Sequence, residues 1–141
     1  MFNELTIPLF EAITSEVYDA GVDEVGPLID RPKAAAALGM PFGGPGELVL
    51  YSDPVDTGSI CCEALIRCRP LPHDNKRVAY RCLQEMLARY PWAQFEAKPR
   101  KIAEMLDGLG DGSKGVDDLN LWVRAEVGHV AIERYERRLK A

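Results

Sequence analysis

The residues best suited to chemistry lie together in one segment, residues 69–77, with the sequence RPLPHDNKR. The segment falls between two apolar helical patterns, and its last three residues, Asn75, Lys76 and Arg77, begin the second predicted helix. The first turn of a helix has unpaired backbone N–H groups and a positive partial charge, and these side chains add further donors. The segment therefore predicts an anion site suited to phosphate. The alternative is that the basic side chains of this turn simply face solvent.

Cysteine and histidine, the usual zinc ligands, are not spaced for a metal site. No two of the four cysteines form a C-x-x-C pair, and the two histidines, His73 and His129, are far apart in the sequence. Cys61 and Cys68 are seven positions apart, so they share one face of a helix. We therefore expect reduced thiols packed in an apolar core: Cys61, Cys62, Cys68 and Cys82.

The composition predicts a single domain and argues against two classes of partner. The chain has 141 residues, of which 47% are hydrophobic, enough to bury one core. Its 22 acidic and 17 basic residues give a net charge of −5, which argues against non-specific nucleic-acid binding and against docking on anionic lipid. No apolar run approaches the roughly 20 residues of a membrane helix, and the N-terminal residues do not resemble a signal peptide. A cytoplasmic location is therefore expected.

Glycine, proline and apolar periodicity divide the chain into helical pieces, so the predicted fold class is all-α. Pro27 and Pro32 are expected to break the second piece, and Gly108 and Gly110 to end the fifth. The fourth piece has a wide apolar stripe and is expected to be the central, most buried helix. Gly128 is a candidate break in the last helix, before a charged helical extension. The helices are predicted at about residues 7–20, 25–38, 53–68, 75–89, 99–106 and from 116 onward, with the extension at about 128–141 of the domain 1–141.

Residues 39–52 have a composition unlike that of the helical pieces. A stretch rich in glycine and proline leads into a short β-prone run at residues 47–51. This pattern predicts an exposed flap or a short β-hairpin. An ordinary connecting loop is the alternative, and composition alone does not separate the two.

The segment that ends in Asn-Lys-Arg resembles the signature of the Fic/Doc family, a motif of the type H-P-F-x-D-G-N-K-R. Pro70, Asn75, Lys76 and Arg77 match this motif, and Leu71 stands at its aromatic position. Further stretches extend the resemblance to roughly residues 5–125. These are Ala64-Leu65-Ile66 (the helix leading into the motif), residues 30–34 with 42–44 (an R-P-x-A segment and the flap), and Asp117-Asp118-Leu119-x-x-Trp122 (the closing helix of Doc-like proteins).

The resemblance implies a Fic/Doc-like helical core and a transferase activity. Family members transfer a phosphate-containing group, in most cases AMP, from a nucleotide to a hydroxyl of a target protein. Doc-like toxins instead transfer the terminal phosphate of ATP to a translation factor and are silenced by a separate antitoxin chain. Lys76, rather than glycine, places this chain nearer the Doc type. ATP and Mg²⁺ are the implied cofactors, and Leu48, Val49 and Leu50 of the flap would align the target by strand pairing.

Two positions depart from the family motif. Arg69 stands where the family has its catalytic His, and a guanidinium that stays protonated cannot accept a proton. His73 stands at the position of the metal-binding acid and would act as a base only if the loop is rebuilt, while Asp74 would reach Mg²⁺ if the loop shifts by one residue. Two hypotheses follow. One is a Doc-like transferase weakened at the catalytic positions Arg69 and His73. The other is a catalytically inactive Fic-fold binding module that acts through a protein partner. Beside these two, a helical protein unrelated to nucleotides is the remaining alternative.

Overall fold

Helices account for nearly all the regular structure of the computed structural model, which describes residues 5–42 and 53–140. No strand occurs among these residues, so the described part of the chain is all-α, as predicted. The flap prediction for Leu48, Val49 and Leu50 falls outside them. Short 3₁₀ turns occupy Gly26–Leu28, Met40–Phe42 and Pro91–Ala93. The α-helices are α1 (Ile7–Tyr18), α2 (Val22–Val25), α3 (Arg31–Gly39), α4 (Pro54–Cys68), α5 (Asn75–Ala88), α6 (Pro99–Asp111) and α7 (Val116–Lys140).

Side-chain caps fix where three of the helices begin. The Thr6 hydroxyl accepts from the Leu9 N–H at 3.3 Å to cap α1, and the Asp53 carboxylate accepts from the Val55 N–H at 2.7 Å to cap α4. Asp30 caps α3 in the same way, and a proline follows in the first turn of all three helices. These caps satisfy N–H groups that a helix cannot pair internally. Local sequence is therefore sufficient to predict the starts of α1 and α4. The helix predicted at about 25–38 is divided into α2, a 3₁₀ turn and α3, because Asp30 and Pro32 begin a separate helix at Arg31.

The centre of the fold is α4, which packs against α3, α5, α6 and α7. Nine of its residues are buried, compared with seven of α5, so the prediction that the helix at 75–89 is the most buried was wrong. The reason is that α4 has neighbours on several sides, whereas α5 leaves Arg77 and Gln84 in solvent. The predicted pairing of the two helices is confirmed. Gly58 brings them close together, because a Cβ there would lie 2.8 Å from Leu83 Cδ1.

The last two long helices extend further than the sequence predicts. Gly108 and Gly110 do not end α6, which continues to Asp111 and stops at Gly112 with a left-handed φ of 84°. Nor does Gly128 break α7, which runs unbroken to Lys140. A glycine inside a helix costs only about 1 kcal/mol, which the contacts of a long helix can offset. In α6 a Cβ at Gly110 would lie 2.6 Å from Lys76 Cε. Glycine is thus used there to let a side chain pack closely.

Polar contacts fasten α7 to the first turn of α4. Arg124 of α7 donates to the Asp56 carboxylate at 2.8 Å and lies 3.4 Å from that of Asp53. Asn120 also donates to Asp56, again at 2.8 Å. Because α4 leads directly into residues 69–74, these contacts help to hold the candidate site in place.

The four cysteines are free thiols, as predicted. Cys61, Cys62 and Cys82 are fully buried in the α4–α5 core, and Cys68 is half-buried at the end of α4. Within the described residues, no helix combines the length and apolarity needed to cross a membrane.

Candidate functional site

A six-residue loop, residues 69–74, joins α4 to α5 and turns sharply at both ends. Arg69 (φ 50°) and Asp74 (φ 59°) both adopt the left-handed conformation. At the first end, the Arg69 N–H donates to the Leu65 carbonyl at 3.2 Å and closes α4. The Arg69 side chain is exposed and makes no hydrogen bond or ion pair with the part of the chain that the structure describes. Its position therefore favours a backbone role, as a helix-ending residue, over a role as a proton acceptor.

The backbone of Arg69 gives a stability prediction. A non-glycine residue in the left-handed conformation costs about 1–2 kcal/mol, and glycine avoids this cost. Glycine also raises the conformational entropy of the unfolded chain, so only part of that free energy appears as added stability. Arg69→Gly is therefore expected to raise the free energy of unfolding by about 0.5–1 kcal/mol in urea denaturation. The control is Arg67→Gly, two residues earlier inside the last turn of α4, which should lower it by about 1 kcal/mol. Equal losses in both variants would contradict the strain at Arg69.

The side chain of Asn75 holds the loop closed. Its Oδ1 accepts from the Leu71 N–H at 3.0 Å, and its Nδ2 donates to the Leu71 carbonyl at 2.9 Å. Leu71 is buried, and the neighbouring Pro70 carbonyl accepts from the Asp30 N–H at 2.7 Å, which ties the loop to the start of α3. The amide predicted to contact phosphate is thus engaged with the loop backbone. What Asn75 still offers to a ligand is its backbone N–H.

Removing this amide is expected to destabilise the protein. Asn75→Ala leaves the buried N–H and C=O of Leu71 without their partners, which should lower the free energy of unfolding by about 1–3 kcal/mol. Gln94→Ala is the matched control, because Gln94 is exposed and makes a single long hydrogen bond of 3.4 Å. Its effect should stay within about 0.5 kcal/mol. Chemical denaturation measures both, and similar values for the two would contradict the role of Asn75.

His73 is held on two sides. The Tyr18 ring of α1 stacks on the imidazole with ring centres 4.3 Å apart and planes 10° from parallel, and the Tyr18 hydroxyl donates to the His73 carbonyl. Partial burial raises the pKa of Tyr18, so this hydroxyl keeps its proton. On the other side, His73 Nδ1 lies 2.9 Å from Asp74 Oδ2. The imidazole is exposed to solvent, yet it has defined neighbours.

The carboxylate of Asp74 is shared between two partners. It bonds to His73 through Oδ2, and its Oδ1 lies 3.5 Å from the Arg77 guanidinium. The hydrogen bond to His73, together with the positive charge of Arg77, holds the pKa of Asp74 below its ordinary value. A magnesium ion prefers several oxygen ligands and is repelled by an adjacent cation. The two oxygens of Asp74 already face His73 and Arg77, so this carboxylate does not fit a magnesium ion. The described residues contain no group of three or more histidine, cysteine or acidic side chains placed to hold a metal ion.

The N-terminus of α5 lies beside the His73–Asp74 pair and is not capped by a side chain. The backbone N–H groups of Asn75, Lys76 and Arg77 have no acceptor among the described residues. The Arg77 side chain is 67% exposed at the same turn. Lys76 is directed elsewhere, since its ammonium lies 3.1 Å from Asp107 of α6. The structure thus brings three backbone donors, Arg77, His73 and Asp74 together, and it directs the amide of Asn75 and the ammonium of Lys76 away from them.

Two of the residues that define this site were missed by sequence reasoning. Tyr18 is 55 residues from His73, and Asp107 is 31 residues from Lys76. No local pattern connects such pairs, because only the packing of α1 and α6 against α5 brings them together. A separate groove of about 1110 Å³ lies along α5 and α7, lined by residues such as Arg81, Phe95 and Arg134. None of the predicted site residues that the structure describes lines this groove.

The comparisons with known proteins add no assignment. The chain matches no protein-family model, no curated protein and no solved structure.

Proposed function

We propose that this chain is a phosphate- or nucleotide-binding domain of the Doc-like toxin type, with a Fic/Doc-like core. The observation that carries the proposal is the open N-terminus of α5. Three consecutive N–H groups there have no acceptor in the described part of the chain, and Arg77 extends from the same turn. The helix dipole and the guanidinium both favour an anion at this point. The motif resemblance suggests that this anion is a phosphate group of a nucleotide.

The proposed ligand is ATP, with its Mg²⁺ carried on the phosphates and not held by the protein. Asp74 is already bonded to His73 and lies near Arg77, so it is poorly placed to take a metal. Lys76 contributes its backbone N–H to the site, and the ion pair of its side chain with Asp107 is exposed and correspondingly weak. An incoming phosphate can therefore compete for the Lys76 ammonium.

Transfer to a protein hydroxyl is the proposed reaction class, and a translation factor is the target class that the resemblance suggests. A separate antitoxin chain would then restrain the activity. A binding module without catalysis is the second candidate, and Arg69 is the observation that favours it. A protonated guanidinium has no lone pair for the proton of the attacking hydroxyl.

Nucleotide binding is tested by isothermal titration calorimetry with ATP, in the presence and absence of Mg²⁺. An exposed charge contact of this kind contributes up to about 1 kcal/mol, so Arg77→Ala is expected to weaken ATP binding by up to about 5-fold. Arg100→Ala is the matched control, because Arg100 is 90% exposed on α6 and, among the described residues, pairs only with Glu104 of its own helix. The control should bind like the wild type. Absence of binding heat in the wild type, or equal affinities for both variants, would refute the proposed site.

Transfer is tested by incubating the protein and a cell extract with ATP that carries the label in the α- or the γ-phosphate. Label from the γ-position alone on a protein band indicates phosphoryl transfer, and label from the α-position indicates AMP transfer. If ATP binds and neither label is transferred, the chain is the binding module of the second candidate.

A further inference from the structure

The surroundings of His73 define which of its two ring nitrogens is available. Nδ1 lies 2.9 Å from the Asp74 carboxylate, a distance typical of a hydrogen bond from an N–H to a charged oxygen. An ionised carboxylate only accepts, so the proton of the neutral imidazole must be on Nδ1. Nε2 then carries the lone pair, and it has no partner among the described residues. This arrangement, with a carboxylate fixing the tautomer, is the one that makes an imidazole a base.

Two further contacts restrict the motion of the ring. The Tyr18 ring stacks on the imidazole almost in parallel, and the Tyr18 hydroxyl donates a hydrogen bond to the backbone carbonyl of His73. Arg77 lies 3.5 Å from the second oxygen of Asp74, which restrains the carboxylate in turn. An exposed loop histidine that only contacts solvent would not require these contacts with Tyr18, Asp74 and Arg77. The imidazole is nevertheless 63% exposed, so a substrate can reach it.

We propose that His73 is the proton acceptor of this site, with Asp74 and Tyr18 as its positioning residues. This inference rests on the proposed function. It assigns the role to the fifth residue of the segment 69–77, whereas the family motif would place it at position 69. Asp74, at the N-cap of α5, bonds directly to the imidazole, so His73 adjoins the turn at which the phosphate would bind.

In the proposed step, His73 accepts the proton of the target hydroxyl while the phosphate-containing group is transferred. The O–H bond of the target hydroxyl breaks, its proton moves to Nε2, and the oxygen forms a bond to phosphorus. The bond from phosphorus to the leaving phosphate oxygen breaks, and that oxygen keeps the electron pair. The imidazolium formed on His73 is stabilised by the Asp74 carboxylate that it already contacts.

The tautomer is tested by ¹⁵N nuclear magnetic resonance of the intact protein. In the wild type the His73 signals should show a protonated Nδ1 and an unprotonated Nε2 at a pH where the ring is neutral. Asp74→Asn tolerates the left-handed backbone but loses the charge, and it should reduce the Nδ1–H fraction. A His129→Gln background leaves a single histidine and removes any ambiguity of assignment. An Nε2–H tautomer in the wild type would overturn the proposal.

The role in transfer is tested with labelled ATP. His73→Ala should lower the transfer rate by about 10²–10⁴-fold, and added imidazole should restore part of it. Arg100→Gln, on the exposed face of α6, is the control and should keep the rate. Folding of each variant is verified by circular dichroism, and ATP binding by calorimetry. If ATP binds and His73→Ala transfers as fast as the wild type, or if the wild type transfers nothing, the role of His73 is refuted. If ATP does not bind at all, the proposed function itself fails.

Discussion

Leu83→Ala is expected to lower the free energy of unfolding by about 2–5 kcal/mol, a large share of the stability of a domain of this size. Leu83 is fully buried between α4 and α5, where its side chain faces Gly58. Truncation removes apolar contacts and leaves a cavity between two helices that are joined by the loop at residues 69–74. Because α5 also begins the candidate site, the variant should loosen residues 69–77 as well.

The matched control for this prediction is Leu121→Ala. Leu121 also lies in a helix, but it is 68% exposed, so its truncation should change the free energy of unfolding by no more than about 0.5 kcal/mol. Urea denaturation followed by circular dichroism measures both variants. A loss for Leu83→Ala no greater than that for Leu121→Ala would show that the α4–α5 contact is not the centre of the core.

The reactivity of the buried thiol of Cys61 is expected to be about 1000-fold lower than that of an ordinary thiol, and Cys62 and Cys82 should also react slowly. Burial raises the pKa of Cys61 from 9.0 to about 12, and it raises the pKa values of Cys62 and Cys82 as well. Three pKa units reduce the reactive thiolate about 1000-fold at neutral or mildly alkaline pH. Cys68 is only half-buried, so it should be the one thiol that reacts quickly in the native protein.

This prediction is measured with a chromogenic disulfide reagent at pH 8. One thiol should react quickly in the native protein and all four after denaturation in guanidinium. Cys68→Ser should abolish the fast phase, whereas the control variant Cys61→Ser should keep it. Rapid reaction of three or four thiols in the native protein would contradict the packing of α4 against α5.

The candidate site shows how far a local pattern reaches. The spacing of residues 69–77 predicts a loop followed by a helix start, and the structure places a loop at 69–74 and the start of α5 at Asn75. The same pattern assigns the Asn75 amide and the Lys76 ammonium to phosphate. In the structure the amide bonds the Leu71 backbone and the ammonium bonds Asp107. The hydrogen bonds of a side chain depend on which groups the tertiary structure places near it. A local sequence pattern does not specify those groups.

By itself, the sequence determined the all-α class of the described residues, the starts of α1 and α4, and the free state of the thiols. These depend on interactions within a few residues, such as the Thr6 and Asp53 caps, or on the apolar face of a single helix. Only the tertiary structure decided that α6 continues past Gly110 under the Lys76 side chain, and that Tyr18 stacks on His73. Both result from helix packing between distant segments, because burial of the common apolar core sets which helix surfaces meet.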